Sequence, residues 1–223
     1  MQKEEQGKNG RRVDFMIFDL DGTLVDSGAD IVATVNHTRR SLGLPAQDMA
    51  TILPLIGDGI KDLIARAIGK ANESQHQEAI AIYTKHYTEH LLDNTVTYEG
   101  IEDMLHHFGD KQKILITNKR IDFANAVIDR LNLRQYFVEV IGGDSFGYMK
   151  PDIRLLFYCA EKYCVKPMDM VVIGDGVNDV VLAKKTMAIS CAHLNGLTDR
   201  QILLDLSPDY SYENAEELCH IFR

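Results

Sequence analysis

Asp19 and Asp21 stand one residue apart at the end of the apolar run Phe15-Met16-Ile17-Phe18, and Gly22-Thr23 follows them. Such a run reads as a buried strand. It delivers both carboxylates to the end of a sheet, where open α/β sheets bind their ligands. Carboxylates this close repel each other, and a cation between them and their target relieves the repulsion. Taken alone, Asp-x-Asp-Gly is also an ordinary strand-ending turn. Three further apolar runs end in polar residues. Ile114-Leu115-Ile116 leads into Thr117-Asn118, Val138 to Ile141 leads towards Lys150-Pro151, and Val171-Val172-Ile173 leads into Gly174-Asp175-Gly176-Val177-Asn178-Asp179. Each has a plain role of its own, as helix cap, solvated lysine or turn. Together they set carboxylates, a hydroxyl, a lysine and more carboxylates at successive strand ends. That is equipment for a reaction at a negatively charged group.

The elements that would position these residues follow from hydrophobic spacing. Strands are expected over Lys113–Ile116, Val138–Ile141, Met170–Ile173 and, as the last core strand, Ile189–His193. Helices are expected over Ile121–Leu131, over Pro151–Cys164 with proline in its first turn, and over Val177–Ala188. The alternation predicts an α/β fold, a Rossmann-like parallel sheet sandwiched by helices. Residues 28–96 break the rhythm. Ile31, Val35 and Leu42, then Ile60, Leu63, Ile64 and Ile68, then Ala79, Ile80, Tyr83, Tyr87 and Leu91, fall at helical spacing, and no strand is evident among them. They read as an all-helical cap inserted between the first two sheet strands, over the site. The expected division is a flexible tail at 1–12, a core from 13–27 and 97–223, and a cap at 28–96.

Composition bounds the function. The chain has 223 residues, 45% of them hydrophobic and 26% charged, with a formal net charge of −9. The acidic balance argues against nonspecific nucleic-acid binding. A protein of this charge that handles an anion must concentrate positive charge locally, through lysine, a metal or helix N-termini. No stretch reaches transmembrane length, and the polar N-terminus lacks a secretory apolar region. Cys159, Cys164, Cys191 and Cys219 form no Cys-x-x-Cys pair and sit in apolar stretches. They are expected to be buried in a reducing cytoplasm. His106-His107 has no acidic partner at metal spacing, and Lys184-Lys185 reads as a solvated helix face.

From about Val13 to the C-terminus, the chain resembles the haloacid dehalogenase superfamily of phosphohydrolases with a helical cap after the first strand. The four strand-end elements correspond in order and spacing to that superfamily's four motifs. Asp19-Leu20-Asp21-Gly22-Thr23-Leu24-Val25-Asp26-Ser27, Asp30-Ile31, Asn36, Leu42-Gly43-Leu44-Pro45, Thr117-Asn118-Lys119 and Val140-Ile141-Gly142-Gly143-Asp144 are similar to bacterial phosphoglycolate phosphatases. Departures are Met149, where relatives often carry a second lysine, and Gly176, where a hydroxyl residue is common. Fold does not fix substrate.

The resemblance implies a Mg²⁺-dependent phosphatase acting on a small phosphorylated metabolite, and the chemistry of phosphate esters suits the residues to roles. Asp19 is the expected nucleophile, giving an aspartyl-phosphate. Asp21 is the expected general acid and base. Asp19, Asp175 and the backbone carbonyl of Asp21 would hold Mg²⁺, with Asp179 either holding metal-bound water or orienting Lys150. Thr117, Asn118 and Lys150 would bind the phosphoryl group. In the cap, Gly57-Asp58-Gly59 corresponds to a specificity loop that could place Lys61 or backbone N–H groups over the substrate; it is equally a turn capped by Asp58. Asp26 and Ser27 would shape the hinge. A β-phosphoglucomutase-like transferase, a pyrophosphatase, a dehalogenase and a non-catalytic regulator that binds a phosphometabolite or a protein are the alternatives weighed. The intact carboxylates speak against the last two. A monomer or homodimer without membrane or nucleic-acid partners is expected.

Overall fold

A computed structural model describes residues 10–223. The strands are β1 Phe15–Phe18, β2 Val25–Asp26, β3 Val96–Thr97, β4 Gln112–Ile116, β5 Glu139–Ile141, β6 Met170–Gly174, β7 Ile189–His193 and β8 Tyr210–Tyr212. Six of them form one sheet in the order β5-β4-β1-β6-β7-β8, with every pairing parallel. The helices are α1 Gly28–Ser41, α2 Met49–Ile52, α3 Gly59–Ile68, α4 Glu73–His90, α5 Ile101–His107, α6 Ile121–Arg130, α7 Arg154–Tyr163, α8 Val177–Thr186, α9 Arg200–Asp205 and α10 Ala215–Ile221.

Strand periodicity builds a three-layer core. Phe15 and Ile17 point to one face with Ile114, Ile116, Met170 and Val172, and pack on Leu155, Leu156 and Leu182 of α7 and α8. Met16 and Phe18 point to the other face, with Leu115, Val171 and Ile173. A strand buried on both faces reads as a continuous apolar run, which is why β1 is plain in the sequence. Register pairs Phe18 with Leu115 on one side and Ile173 on the other. The loops after β1, β4 and β6 therefore leave the sheet at one level, at the point where connections depart in opposite directions from the central strand.

Helices α1 to α4 lie between β2 and β3. They pack through Ile31 and Val35, Leu63 and Ile64, and Ala79, Tyr83 and Tyr87. Helix α4 starts in a capping box: Asn72 accepts from Gln75 N at 3.0 Å, and Gln75 Oε1 accepts from Asn72 N at 2.9 Å. The two chain crossings into this insertion are joined twice. β2 and β3 pair antiparallel. Asp30, 2% exposed, accepts from the backbone N–H groups of Asn94 and Thr95 and from both their side chains. Burial raises its carboxyl pKa, but these hydrogen bonds outweigh burial and hold it below the ordinary value.

Several expectations need correction. A strand does occur within 28–96, since β3 begins at Val96; two residues are too few to show periodicity. His193 does not end the sheet, because β8 adds a short edge strand whose Tyr-Ser-Tyr gives no apolar run. Pro151 is outside the helix expected to contain it. The Lys150–Pro151 bond is cis, and Asp152 accepts from Arg154 N at 2.9 Å, so the helix begins at Arg154. Cys159 and Cys191 are buried, but Cys164 is exposed and Cys219 half-buried. Residues 1–9 of the expected tail lie outside the described residues. Arg11 is bridged to the C-terminal segment, donating to Ile221 O at 2.7 Å and accepting from Arg223 N at 3.1 Å. No described helix is long and apolar enough to cross a membrane.

Candidate active site

The loops at the carboxyl ends of β1, β4 and β6 converge beneath α3 and α4. Asp19 leaves β1 with its N–H on Ile173 O at 2.9 Å, which fixes the loop to β6. Lys150 lies under it, its side chain 2% exposed, with Nζ 2.9 Å from Asp19 and 2.7 Å from Asp179. Burial works against the ammonium charge, but Asp179 and Asp19 outweigh it and raise the lysine pKa. In this structure Asp179 is paired with Lys150. Asp179 Oδ2 also accepts from Gly176 N, at the start of α8.

Asp175 is held by three hydrogen bonds, two of them to Thr23. Thr23 Oγ1 donates to it at 2.9 Å, Leu197 N donates at 2.7 Å, and its own N–H donates back to Thr23 Oγ1 at 2.9 Å. Burial, then the charge of Asp19, push its carboxyl up to about 8. The loops can close this tightly because they carry glycine. A Cβ on Gly22, whose φ is +81°, would lie 2.1 Å from Asp175 Oδ2, and one on Gly196 would lie 2.4 Å from Gly22 O.

Asp21 faces away from this cluster. It accepts from Ser27 Oγ at 2.6 Å and from Lys119 Nζ at 2.8 and 3.0 Å. Lys119 also donates to Tyr87 OH of α4 at 2.7 Å. Thr117 is 3% exposed, lines the pocket and accepts from Lys119 N at 3.2 Å. The Asn118 amide is turned to structure. It exchanges hydrogen bonds with the Lys150 backbone at 2.9 and 3.0 Å, and donates to Gly57 O at 2.8 Å. Asn178 reaches the same loop, donating to Asp58 at 2.8 Å and to Gly57 O at 3.2 Å. Two core asparagines thus fasten one loop of the insertion.

Among the expected residues, Asp19, Asp21, Thr117, Asn118, Asp175 and Gly59 line one pocket, with Lys150 and Asp179 directly behind. Asp58 and Lys61 are not among the lining residues. Asp58 pairs with Arg66 and Asn178 and makes no side-chain cap to α3; Lys61 is exposed. Asp58 occupies the N-cap position of α3 without a side-chain cap bond, while Gly57 and Gly59 of the same loop line the pocket. Sequence reasoning passed over Lys119, Tyr83 and Tyr87 as site residues. The tyrosines register as apolar positions on a helical face, and nothing in spacing tells where a phenol oxygen opens.

The donor chemistry fits a divalent cation. Among the described residues, no three acidic, histidine or cysteine side chains meet at metal-ligand spacing. What the fold offers is Asp19, Asp175 and the Asp21 carbonyl, all hard oxygen donors of the kind Mg²⁺ takes together with water. The elevated Asp175 pKa marks a place where positive charge would be stabilising, and the glycines at 22 and 196 let the loops close directly against its carboxylate.

Similarity to known proteins places this geometry. The family described as haloacid dehalogenase-like hydrolase matches residues 16–213. A protein named phosphoglycolate phosphatase from Chromobacterium violaceum is 34% identical, covering 96% of this chain and 99% of its own. Phosphoglycolate phosphatase 1 of Pseudomonas aeruginosa is 32% identical, over 91% of this chain and 77% of its own. Among solved structures, a predicted phosphoglycolate phosphatase from Haemophilus somnus superposes with a TM-score of 0.89 at 22% identity, over 94% and 97% of the two chains. At that identity it speaks for the fold alone.

Proposed function

The chain belongs to the haloacid dehalogenase-like hydrolase family, and from that premise we propose that it is a Mg²⁺-dependent phosphatase for a small phosphorylated metabolite of the 2-phosphoglycolate type. The observation that carries the reading is Lys150 held between Asp19 and Asp179, beside Asp175, at the mouth of the central strands.

In this reading Asp19 attacks phosphorus as the phosphorus–oxygen bond to the alcohol breaks, leaving the phosphoryl group on the Asp19 carboxylate. Asp21, placed by Ser27 and Lys119, gives its proton to the leaving oxygen. It then takes a proton from the water that releases phosphate. Lys150 stabilises the ionised nucleophile and the charge spread over the phosphoryl oxygens, and the Thr117 hydroxyl donates to one of them. Asp19, Asp175 and the Asp21 carbonyl would hold Mg²⁺, which neutralises phosphoryl charge when bound. The apolar side chains of the insertion, Ile56, Ile60 and Leu63 among them, would exclude water and strengthen these interactions.

The test is phosphate release from a panel of phosphate esters with and without Mg²⁺, ranked by kcat/KM, with mass spectrometry of the acid-quenched Asp19 peptide. A Mg²⁺-dependent preference for 2-phosphoglycolate and a phosphoryl group on that peptide are expected. Metal-independent turnover, or a phosphoryl group on another residue, would overturn the mechanism.

A further inference from the structure

The pocket must also recognise whatever carries the phosphate, and its donors lie on one side. The insertion contributes apolar side chains and two phenols, Tyr83 and Tyr87, but no charged side chain among the described lining residues. The cations that line it, Lys119 and Arg120, both come from the loop after β4. Arg120 is partly exposed and pairs with Asp122 at 2.6 and 3.1 Å. Lys119 is enclosed, 6% exposed, and its three protons are engaged: two on Asp21, one on Tyr87.

Tyr87 is the unfinished link. It is 1% exposed, and its oxygen accepts from Lys119 at 2.7 Å. Among the described residues nothing accepts its own proton. Burial raises the phenol pKa, so that proton stays. An O–H whose oxygen is bonded to an ammonium is a strengthened donor, and a buried donor without an acceptor is costly. Tyr83, stacked on it at 5.4 Å, brings a second hydroxyl to the pocket. This end of the pocket offers phenol protons backed by the positive charge of Lys119 and Arg120, with Asp21 as its acceptor. A donor-rich site matches a group that only accepts. A carboxylate does so, whereas an alcohol or amide brings protons of its own.

We propose that Lys119 and Tyr87 together recognise a carboxylate on the alcohol portion of the substrate, making them the residues that select phosphate esters of hydroxy acids. This rests on the phosphatase reading above. It moves the polar part of specificity from Asp58 and Lys61 of the insertion to the β4 loop and one phenol of α4.

The experiment compares kcat/KM for 2-phosphoglycolate with that for its neutral isostere, 2-phosphoglycolamide. The two esters differ in charge at one position and share the phosphoryl chemistry, so damage to Asp21 cancels in their ratio. The wild type is expected to prefer the acid by roughly tenfold to a hundredfold, the range of a charge-assisted hydrogen bond. Lys119→Met should bring the ratio close to one, Tyr87→Phe should lower it by up to about tenfold, and Lys119→Arg should restore part of it. Thermal unfolding of each variant reads the fold separately. If Lys119→Met does not fold, Tyr87→Phe decides, because it deletes a single oxygen and leaves the ammonium in place. A wild-type ratio near one, or a ratio unchanged in the folded variants, overturns the inference. Turnover of an aryl phosphate but of neither ester overturns it and leaves the phosphatase reading standing; a protein that hydrolyses nothing overturns both.

Discussion

On the floor of the pocket, the buried polar groups are held by partners across long stretches of sequence. Lys150 reaches Asp19 and Asp179, Thr23 reaches Asp175, and Asn118 pairs with the Lys150 backbone. The roof is built differently. Its inner wall is largely apolar, and its polar contacts with the floor run through a few positions: Tyr87 on Lys119, Thr84 on Arg120, and the Gly57 loop on Asn118 and Asn178. The floor is rigid because burial makes unpaired charge costly. The roof is held by a small number of weak, separable bonds. Chemistry that needs fixed charges belongs on the first surface, and exchange of substrate with solvent on the second.

Substitutions can break this contrast, and those in the floor should act most strongly. Asp19→Asn removes the proposed attacking oxygen and one of the anions beside Lys150. Turnover should fall below about a hundredth of wild type, a loss at least as large as removal of an acid–base group, with the fold retained by circular dichroism. Residual activity above that level would mean another nucleophile. Lys150→Met leaves Asp19 and Asp179 buried without their cation. Stability should drop by about 3–5 kcal/mol in denaturant melts, together with activity. A loss below about 1 kcal/mol would mean that the floor does not depend on this pair.

The floor should also make stability depend on pH. Asp175 has an ordinary value of 3.8 and is pushed up to about 8 in the fold. Between those values the unfolded chain has released a proton that the folded one retains, so stability should decline as pH rises from about 4 to about 8. Below that window the contribution is fully present. If Mg²⁺ binds the ionised carboxylate as proposed, saturating Mg²⁺ should flatten the decline. A metal-free protein with no decline would remove Asp175 from the charged cluster.

Changes in the roof should be smaller and of another kind. Asn178→Ala frees one of the two asparagine contacts to Gly57 without touching Lys150. KM should rise by about threefold to tenfold, the worth of one ordinary hydrogen bond, while kcat for a small aryl ester stays within about twofold. A matching fall in kcat would show that the fastening also shapes the floor. Lys61→Ala should change kcat/KM ratios among esters very little, and stability by less than about 0.5 kcal/mol, as for exposed sites in general. A large change in substrate preference would return specificity to the insertion's N-terminal loop.

The same contrast explains what the sequence makes legible. Strand β1 is four apolar residues buried on both faces, and it ends in Asp-x-Asp, so both strand and site announce themselves. Asp175 and Lys150 follow from the same rule of polar residues at apolar run ends. Lys119 escaped because it follows Thr117-Asn118, where helix capping accounts for the polarity. Tyr87 escaped because its ring serves the helix packing while its oxygen serves the pocket. Residues Asp58 and Lys61 look suitable by type and position in the chain, but in the fold Asp58 is taken up by Asn178 and Arg66 and Lys61 is exposed. Strand β8 and the β2–β3 pair are too short for any period to show. Pro151 misled because proline suits a helix start, whereas here Asp152 delays the helix to Arg154.

The pairing of β2 with β3, sealed by Asp30 against Asn94 and Thr95, bears on how such a chain can diversify. The insertion enters and leaves through neighbouring strands, so the sheet sees it as a single turn between Asp26 and Val96. Helices there can be lengthened, traded or deleted without shifting the register of β1 against β4 and β6. Grafting the 28–95 segment of a relative between these two strands should therefore transplant ligand preference into an unaltered catalytic sheet, provided that the incoming segment carries its own partner for the position of Asp30.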